Sequence, residues 1–171
     1  MNLEFYREKL EASPEFGAFQ KNYPEMFFCS AFFAIDFEGE DNKQHLDFYV
    51  VSENKIYSFQ MEAGMQCAPI ELPEGAPAPT GILENPSMDF KELEKMIGDK
   101  IQSEGSKKKI QKILIALQNV KGKNMWVCTV FVSGLGLVKV LIDDAEKRIT
   151  AFENKSLFDM VNVFKKKDSS Q

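Results

Sequence analysis

The sequence predicts an α+β protein made of two tandem units, each with a helix followed by a three-stranded antiparallel meander. Three observations lead to this class. Apolar residues at helical spacing precede two groups of short strands, and short polar turns separate the strands of each group. The second group also repeats part of the first. We expect the helices to pack on the sheet and a further helix to follow the last strand.

The first unit is predicted over residues 1–62. Apolar spacing favours helix over 2–21, divided at Ser13 and Pro14 because proline restricts the preceding residue and suits the first turn of a helix. The connections between the strands that follow are short, which implies antiparallel pairing. Aromatic and β-branched residues place these strands at 26–37, 46–51 and 56–61.

Residues 63–88 are predicted to be a linker or a long surface loop, because prolines and glycines interrupt the whole stretch. The second unit is predicted over 89–171. It begins with a helix capped by Asp89 and Glu92, and a second helix is expected at 107–119. Strands are expected at 125–132, 137–142 and 148–152, and then an amphipathic C-terminal helix that carries Leu157, Phe158, Val161 and Phe164.

The internal repeat aligns residues 27–32 with 126–131, and residues 56–60 with 149–153. Each copy alone would leave a strand edge and a sheet face exposed. Two such units can join edges into one sheet or pack face to face, so one compact domain is among the arrangements that the repeat allows. Several strands are apolar on both faces, which predicts that both faces are at least partly covered.

The second unit resembles the PepSY domain. The resemblance is carried by a strand that begins with Trp126, the glycines Gly134 and Gly136, and the runs 140–143 and 149–152. It covers residues 107–153, with a fainter second copy at 16–60. It implies a non-enzymatic binding or inhibitory module.

The order of helices and strands is also similar to the Tir-chaperone-like fold of small acidic secretion chaperones. That likeness rests on element order alone, and it too implies that the protein binds another protein.

The charge is unevenly distributed along the chain. Residues 1–85 carry 5 basic and 15 acidic residues, and residues 86–171 carry 16 basic and 11 acidic residues, within a net charge of −5. Two packed halves of opposite charge would attract each other, whereas a basic surface would suit an acidic partner. The candidate binding surface consists of Lys107, Lys108, Lys109, Lys112, Lys121 and Lys123.

Residue types that carry out chemistry are sparse. The single histidine, His45, would need Cys29 or Cys128 beside it to form a nucleophile and base, yet both cysteines are predicted inside strands. The acidic turn at 36–42 does not have the spacing of an EF-hand calcium loop. We therefore expect no enzyme, no metal and no cofactor. Three cysteines, no apolar leader and no long apolar run predict a cytoplasmic protein without a membrane span.

These observations favour a non-enzymatic module that binds a protein or peptide. One alternative is a nucleic-acid-associated protein that uses the lysine-rich segment 107–123, since phosphate contacts need clustered positive charge. The sequence pI of about 5.1 and the use of lysine rather than arginine weigh against it. A secretion-chaperone-like protein is the other alternative. The oligomeric state stays open.

Overall fold

One antiparallel sheet of eight strands, with three α-helices on one of its sides, makes up the described part of the chain. The computed structural model describes residues 2–83 and 86–156. In chain order the elements are α1 (Leu3–Glu11), α2 (Pro14–Asn22), β1 (Phe27–Asp36), β2 (Lys43–Val50), β3 (Lys55–Gln60), β4 (Gln66–Ile70), α3 (Phe90–Ser103), β5 (Ile110–Val120), β6 (Lys123–Val132), β7 (Gly136–Asp143) and β8 (Arg148–Ser156). The order across the sheet is β4-β3-β2-β1-β5-β6-β7-β8.

The α+β class is confirmed, but the prediction of two tandem helix-plus-three-strand units is wrong. Each half of the chain supplies four consecutive strands, and the halves meet where β1 pairs with β5 in antiparallel register. β1 and β5 therefore lie at the centre of one sheet. The later strands of each half follow in chain order towards the two edges, β4 at one edge and β8 at the other. The division into segments 1–62, 63–88 and 89–171 stays a prediction.

The helix predicted over 107–119 is instead strand β5. Ile110, Ile113 and Leu117 fit helical spacing, but Ile113, Ile115 and Leu117 also alternate, and these three are fully buried on one face of the strand. β-Branched residues favour the extended form, and β5 has a strand partner on each side. The apolar residues of this segment fit both the helical and the strand period, and pairing with the neighbouring strands selects the strand.

The predicted repeat matches β1 with the wrong strand of the second half. It pairs residues 27–32 of β1 with residues 126–131 of β6. In the element order, however, the strand that follows the helix in the second half is β5, and β5 is the neighbour of β1. Strands rich in Phe, Val and Cys resemble one another through their burial, which explains the misleading match.

The core lies between the helices and one face of the sheet. Tyr6 of α1 and Phe90 of α3 both contact Phe33 of β1, with ring centroids 5.2 and 4.5 Å apart. Phe16 of α2 contacts Phe59 of β3 at 5.2 Å. Phe33 and Phe59 are both almost completely buried. All three helices therefore cover the same face.

The helix starts agree with the sequence. Ser13 accepts a hydrogen bond from the amide of Phe16 at 3.2 Å, and Pro14 begins α2. Asp89 accepts from the amide of Glu92 at 2.8 Å and starts α3. The C-terminal helix predicted around 157–164 lies outside the described residues.

The proline-rich stretch 63–88 contains strand β4 and then a strap, residues 71–83 and 86–88, that follows one end of the sheet. The amide of Ile82 donates to the carbonyl of Phe28 at 2.9 Å, and the amide of Leu83 donates to the side-chain oxygen of Asn124 at 2.9 Å. The β5–β6 and β7–β8 turns lie at this end, which we call the lower end. The opposite end is the upper end.

Asp144 fixes the strap to the sheet. Its carboxylate is buried and accepts hydrogen bonds from the indole N–H of Trp126 at 2.7 Å and from the amides of Ser87 and Met88 at 2.8 and 3.2 Å. These donors come from a central strand and from the residues that lead into α3. One carboxylate thus holds the strap, the helix start and the sheet together.

We expect Asp144→Ala to lower the free energy of unfolding by about 3 kcal/mol, because it leaves buried N–H donors without an acceptor. The matched control is Asp99→Ala on α3, an exposed carboxylate paired with Lys95, for which we expect about 0.5 kcal/mol or less. Urea unfolding of both variants measures the difference. Equal losses would contradict the role of Asp144.

Candidate functional site

The sheet face opposite the helices, which we call the open face, is the candidate site. Cross-strand register places its central residues in two adjacent rows, and all of them point away from the helices. The apolar members of these rows are Phe32, Ala34, Leu114, Ala116, Val127, Leu141 and Ala151. No described helix or strand packs on this face, which is why these residues lie outside the core cluster.

Burial differs sharply between the two faces of the same strands. Ile115 and Val140 on the helix side are fully buried. Leu114 and Leu141, their neighbours in sequence, are only half-buried, and so is Val127 on β6. The expectation was that both faces are at least partly covered. On the open face Ala34 and Leu137 are buried and Leu114, Val127 and Leu141 are half-buried, so this face is partly covered, although no described helix packs on it. Water reaches the half-buried apolar residues of the open face only in part.

Polar and charged residues border this apolar surface. Lys139 and Glu153 face each other across β7 and β8, and both are exposed. His45 on β2 lies beside Phe32, with ring centroids 5.6 Å apart. An apolar centre with a polar rim is the usual anatomy of a protein interface.

The six lysines predicted as a binding surface lie at two opposite ends of β5. Lys107, Lys108, Lys109 and Lys112 belong to the upper end, whereas Lys121 and Lys123 belong to the β5–β6 turn at the lower end. The strand between them advances about 3.3 Å per residue, so roughly 30 Å separates the two groups. The structure does not bring the six together as one patch.

Three of these lysines are already paired with carboxylates. Lys109 contacts Glu38 at 3.3 Å, and Lys112 contacts Asp41, which lowers the pKa of Asp41. Lys123 contacts Asp143 at 2.9 Å, and that hydrogen bond raises the pKa of Lys123. The basic second half and the acidic first half thus meet at the upper end, as expected for two halves that attract each other.

His45 forms a pair that the sequence did not reveal. Its Nε2 lies 2.9 Å from Oε1 of Glu62, whose other oxygen accepts the amide of Gln44 at 3.3 Å. Burial acts to raise the pKa of Glu62, but these hydrogen bonds outweigh it and the pKa is lowered. The sequence carries no local sign of this pair. The β2–β3 register places His45 opposite Gln60, and Glu62, two residues further along, then reaches the histidine ring.

The cysteines do not complete a catalytic pair with His45. Cys29 and Cys128 are buried, and burial raises the pKa of each thiol to about 12. A thiol with so high a pKa is a weak nucleophile at neutral pH. Cys29 instead donates to the carbonyl of Asp47 at 3.4 Å. Both cysteines therefore pack as small apolar residues, as predicted.

A short polar row crosses the first half of the open face. Ser30, Asp47 and Ser58 are paired across β1, β2 and β3, and the hydroxyl of Ser30 donates to Asp47 at 2.7 Å. Asp47 Oδ1 and Ser58 Oγ are buried and have no hydrogen-bond partner among the described residues. This row could not be predicted, because Ser30, Asp47 and Ser58 are single polar residues within apolar strands and only the strand register aligns them.

The acidic β1–β2 loop folds around Asp36. This carboxylate accepts the amides of Glu38 at 3.1 Å and Gly39 at 2.9 Å, and the first of these bonds is the main cause of its lowered pKa. Its oxygens thus hold the turn of the loop. No group of three or more metal-ligating side chains occurs in the described ranges.

A cleft of about 380 Å³ opens between α1 and α3. Its lining includes Tyr6, Phe33, Phe90, Lys91 and Glu94. These side chains offer no nucleophile beside a base, so the cleft suggests no reaction. None of the described helices is both long enough and apolar enough to span a bilayer.

The fold is similar to the crystal structure of a putative lipoprotein from Clostridium difficile 630, with a TM-score of 0.54. The match covers 82% of this chain and 90% of that chain at 9% sequence identity, so it shows a shared fold alone. No protein-family model matches the sequence, and no curated protein matches it. The PepSY and Tir-chaperone-like resemblances stay predictions.

We expect a thiol reagent to modify Cys67 in the native protein and to leave Cys29 and Cys128 unmodified. Cys67 is exposed on the edge strand β4, whereas the other two thiols are buried and protonated. Mass spectrometry after brief labelling measures this, and labelling in urea should reach all three. Rapid native labelling of Cys128 would contradict the burial of β6.

We expect the contribution of the His45–Glu62 pair to stability to disappear in acid. The folded pKa of Glu62 is lowered, so its stabilisation is present above the unfolded pKa of about 4.3 and is lost as the pH falls through the folded value. The gap in unfolding free energy between the wild type and Glu62→Gln should therefore close between about pH 5 and pH 3. Glu94→Gln, an exposed carboxylate on α3, is the control. A gap that persists at pH 3 would refute this.

Proposed function

We propose that this protein is a non-enzymatic module that binds another protein or peptide on the open face of its sheet. The observation that carries the proposal is the row of half-buried apolar side chains that no described element covers. Soluble proteins rarely leave a contiguous apolar surface of this kind to water unless it serves as an interaction site. The absence of a recognisable nucleophile and base in the described residues favours binding over catalysis.

The size of the open face suits a stable interface. Seven spacings of about 4.8 Å make the sheet roughly 34 Å wide, and strands of about eight residues make it roughly 26 Å long. That footprint of about 900 Å² is comparable to the roughly 800 Å² that a standard interface takes from each partner. A partner that presents a flat apolar surface, such as a helix or a second sheet, would fit it.

The lysine-rich segment supports a nucleic-acid role less well. Its lysines lie at two ends of β5, and Lys109, Lys112 and Lys123 are already engaged by carboxylates. A tract that grips a phosphate backbone needs free positive charge along one path. We therefore do not propose nucleic acid as the partner, and the nuclease treatment in the capture experiment tests for it. A secretion-chaperone-like role would also use a protein-binding surface.

We keep a cytoplasmic location as part of the proposal. All three cysteines are unpaired, which fits a reducing compartment.

The test introduces a lysine on the open face and, as a control, on the helix side. Ala151→Lys adds an exposed ammonium beside Leu141 on the open face, and Ala116→Lys adds one between Phe32 and Val127. Ala18→Lys, exposed on α2, is the matched control. An interface that buried the new ammonium would lose more than about 1.4 kcal/mol of binding free energy, which is more than tenfold in affinity.

Tagged wild type and variants are used to capture partners from host lysate, with and without nuclease. We expect a protein partner that survives nuclease and that both open-face variants lose while Ala18→Lys retains it. Melting curves confirm that the variants are folded. Recovery that collapses with nuclease, or a partner that Ala151→Lys and Ala116→Lys retain, would overturn the proposal.

A further inference from the structure

Two tyrosines and a glutamate form a compact group where the end of α2 meets the start of β3. The hydroxyl of Tyr23 donates to Oε1 of Glu53, and the hydroxyl of Tyr57 donates to Oε2 of the same carboxylate. The two tyrosine rings are stacked, with centroids 5.9 Å apart and an angle of 26° between their planes. One carboxylate thus holds both rings in place. We call these three residues the tyrosine cluster.

The tyrosine cluster lies on the helix side of the sheet, away from the open face. Tyr57 is opposite Phe48 in the β2–β3 register, and Phe48 contacts Phe16 of α2. Phe19 of α2 contacts both tyrosine rings, with centroids 4.8 and 4.9 Å apart. The cluster is therefore separate from the surface to which the proposed function belongs.

Solvent reaches the tyrosine cluster. All three of its residues are only half-buried, and neither tyrosine belongs to the core cluster. Val51, in the short helical turn that also contains Glu53, is 53% exposed. Tyrosines are enriched among the residues that dominate the binding energy of protein interfaces. Because Glu53 fixes these two rings, a partner would meet them already ordered.

The charge at the cluster is negative. The hydrogen bond from Tyr23 is the main cause of the lowered pKa of Glu53, so this carboxylate is ionised at neutral pH. Glu25, which acts on the pKa of Glu53 from nearby, accepts the hydroxyl of Ser52 at 2.6 Å, and that bond lowers its own pKa. Lys55 helps to lower the pKa of Glu53, yet neither glutamate has an ion-pair partner among the described residues. Two neighbouring carboxylates of this kind favour a cationic ligand.

The cluster still has capacity to accept hydrogen bonds. An ionised carboxylate offers about four acceptor positions, and the two tyrosines use one on each oxygen of Glu53. Each tyrosine hydroxyl donates to Glu53, and its oxygen can still accept. A guanidinium matches this arrangement, because it is planar, always charged, carries several N–H donors in a fixed fork and stacks on aromatic rings.

Other cations fit the cluster less well. A quaternary ammonium in an aromatic cage contacts several ring faces at once, which needs rings that stand apart. Here the rings of Tyr23, Tyr57 and Phe19 contact one another and leave no room for a cation between them. A lysine ammonium is a strongly hydrated point charge that cannot stack on a ring as a guanidinium does. The geometry therefore favours arginine.

We propose that the tyrosine cluster binds an arginine side chain of a partner protein. The guanidinium lies against the outside of the stacked rings and donates hydrogen bonds to Glu53 and to the tyrosine oxygens, while Glu25 adds electrostatic attraction. The cluster is a second contact surface on the opposite side of the sheet from the open face. It goes beyond the proposed function and does not depend on it.

NMR titration of the full chain with the peptide acetyl-Gly-Arg-Gly-amide tests the cluster without any partner. Matched peptides replace the arginine by lysine, or by citrulline, which keeps the shape of the side chain and lacks its charge. We expect saturable shifts of the Ser52 and Glu53 amides and of the Tyr23 and Tyr57 ring signals. Affinity for the arginine peptide should exceed that for the citrulline peptide by about tenfold or more, since charged hydrogen bonds are lost. The lysine peptide should also bind more weakly than the arginine peptide. Equal affinities for the three peptides would overturn the proposal.

Two variants remove different parts of the cluster. Glu53→Gln keeps the shape and removes the charge, and it should weaken arginine-peptide binding by about tenfold or more. Tyr23→Leu removes one ring and keeps the charge, and it should weaken binding by about threefold. Glu94→Gln, an exposed carboxylate on α3, and Ala151→Lys on the open face are the controls and should bind as the wild type does. Melting curves identify any variant that does not fold.

The controls separate this site from general acidity and from the open face. If Glu94→Gln weakens binding as much as Glu53→Gln, or if both cluster variants bind as the wild type does, the protein attracts arginine only through its net charge and the proposal is wrong. If the arginine peptide binds as expected while the open-face variants retain the captured partner, the tyrosine cluster stands and the proposed function is wrong. If the partner is lost from the open-face variants but the three peptides bind equally, the proposed function stands alone.

Discussion

The antiparallel pairing of β1 with β5 is the interaction on which the rest of the structure depends. Seven residue pairs, from Ser30–Gln118 to Asp36–Lys112, join the two halves of the chain. Without them each half would end in an exposed strand edge, which proteins avoid. The pairing also sets Phe33 beside Ile115, so that residues of both halves form one core under α1 and α3. A single sheet and a single core follow from this contact.

The same pairing gives the sheet two unlike faces. With the halves joined edge to edge, all three helices cover one side, and the strap held by Asp144 closes the lower end. The opposite side keeps its apolar residues without a described cover. The function that we propose uses this surface rather than a pocket. The upper-end salt bridges, such as that between Lys112 and Asp41, join the two halves and agree with an attraction between their opposite charges.

Local signals predicted much of the fold, and long-range pairing explains what they missed. The caps at Ser13 and Asp89 and six of the strands were found from residue type and spacing, because these depend on near neighbours. The sequence predicts a helix at β5 because its apolar residues fit the helical period as well as the strand period. Its pairing with β1 and β6 makes it a strand. The open face could not be predicted, since Leu114 and Leu141 are as apolar as core residues and only the placement of the helices separates them. The His45–Glu62 pair likewise depends on strand register.

Amide hydrogen exchange of β1 and β5, followed by NMR, tests the central claim most directly. If the two halves form one sheet through this pair, the paired amides around Phe33 and Ile115 should exchange only by global unfolding. Both strands should then give the same opening free energy, equal to that from urea unfolding. Amides of β5 that exchange at a clearly lower free energy than those of β1 would show that the halves open separately. That result would contradict the single sheet and, with it, the continuous open face.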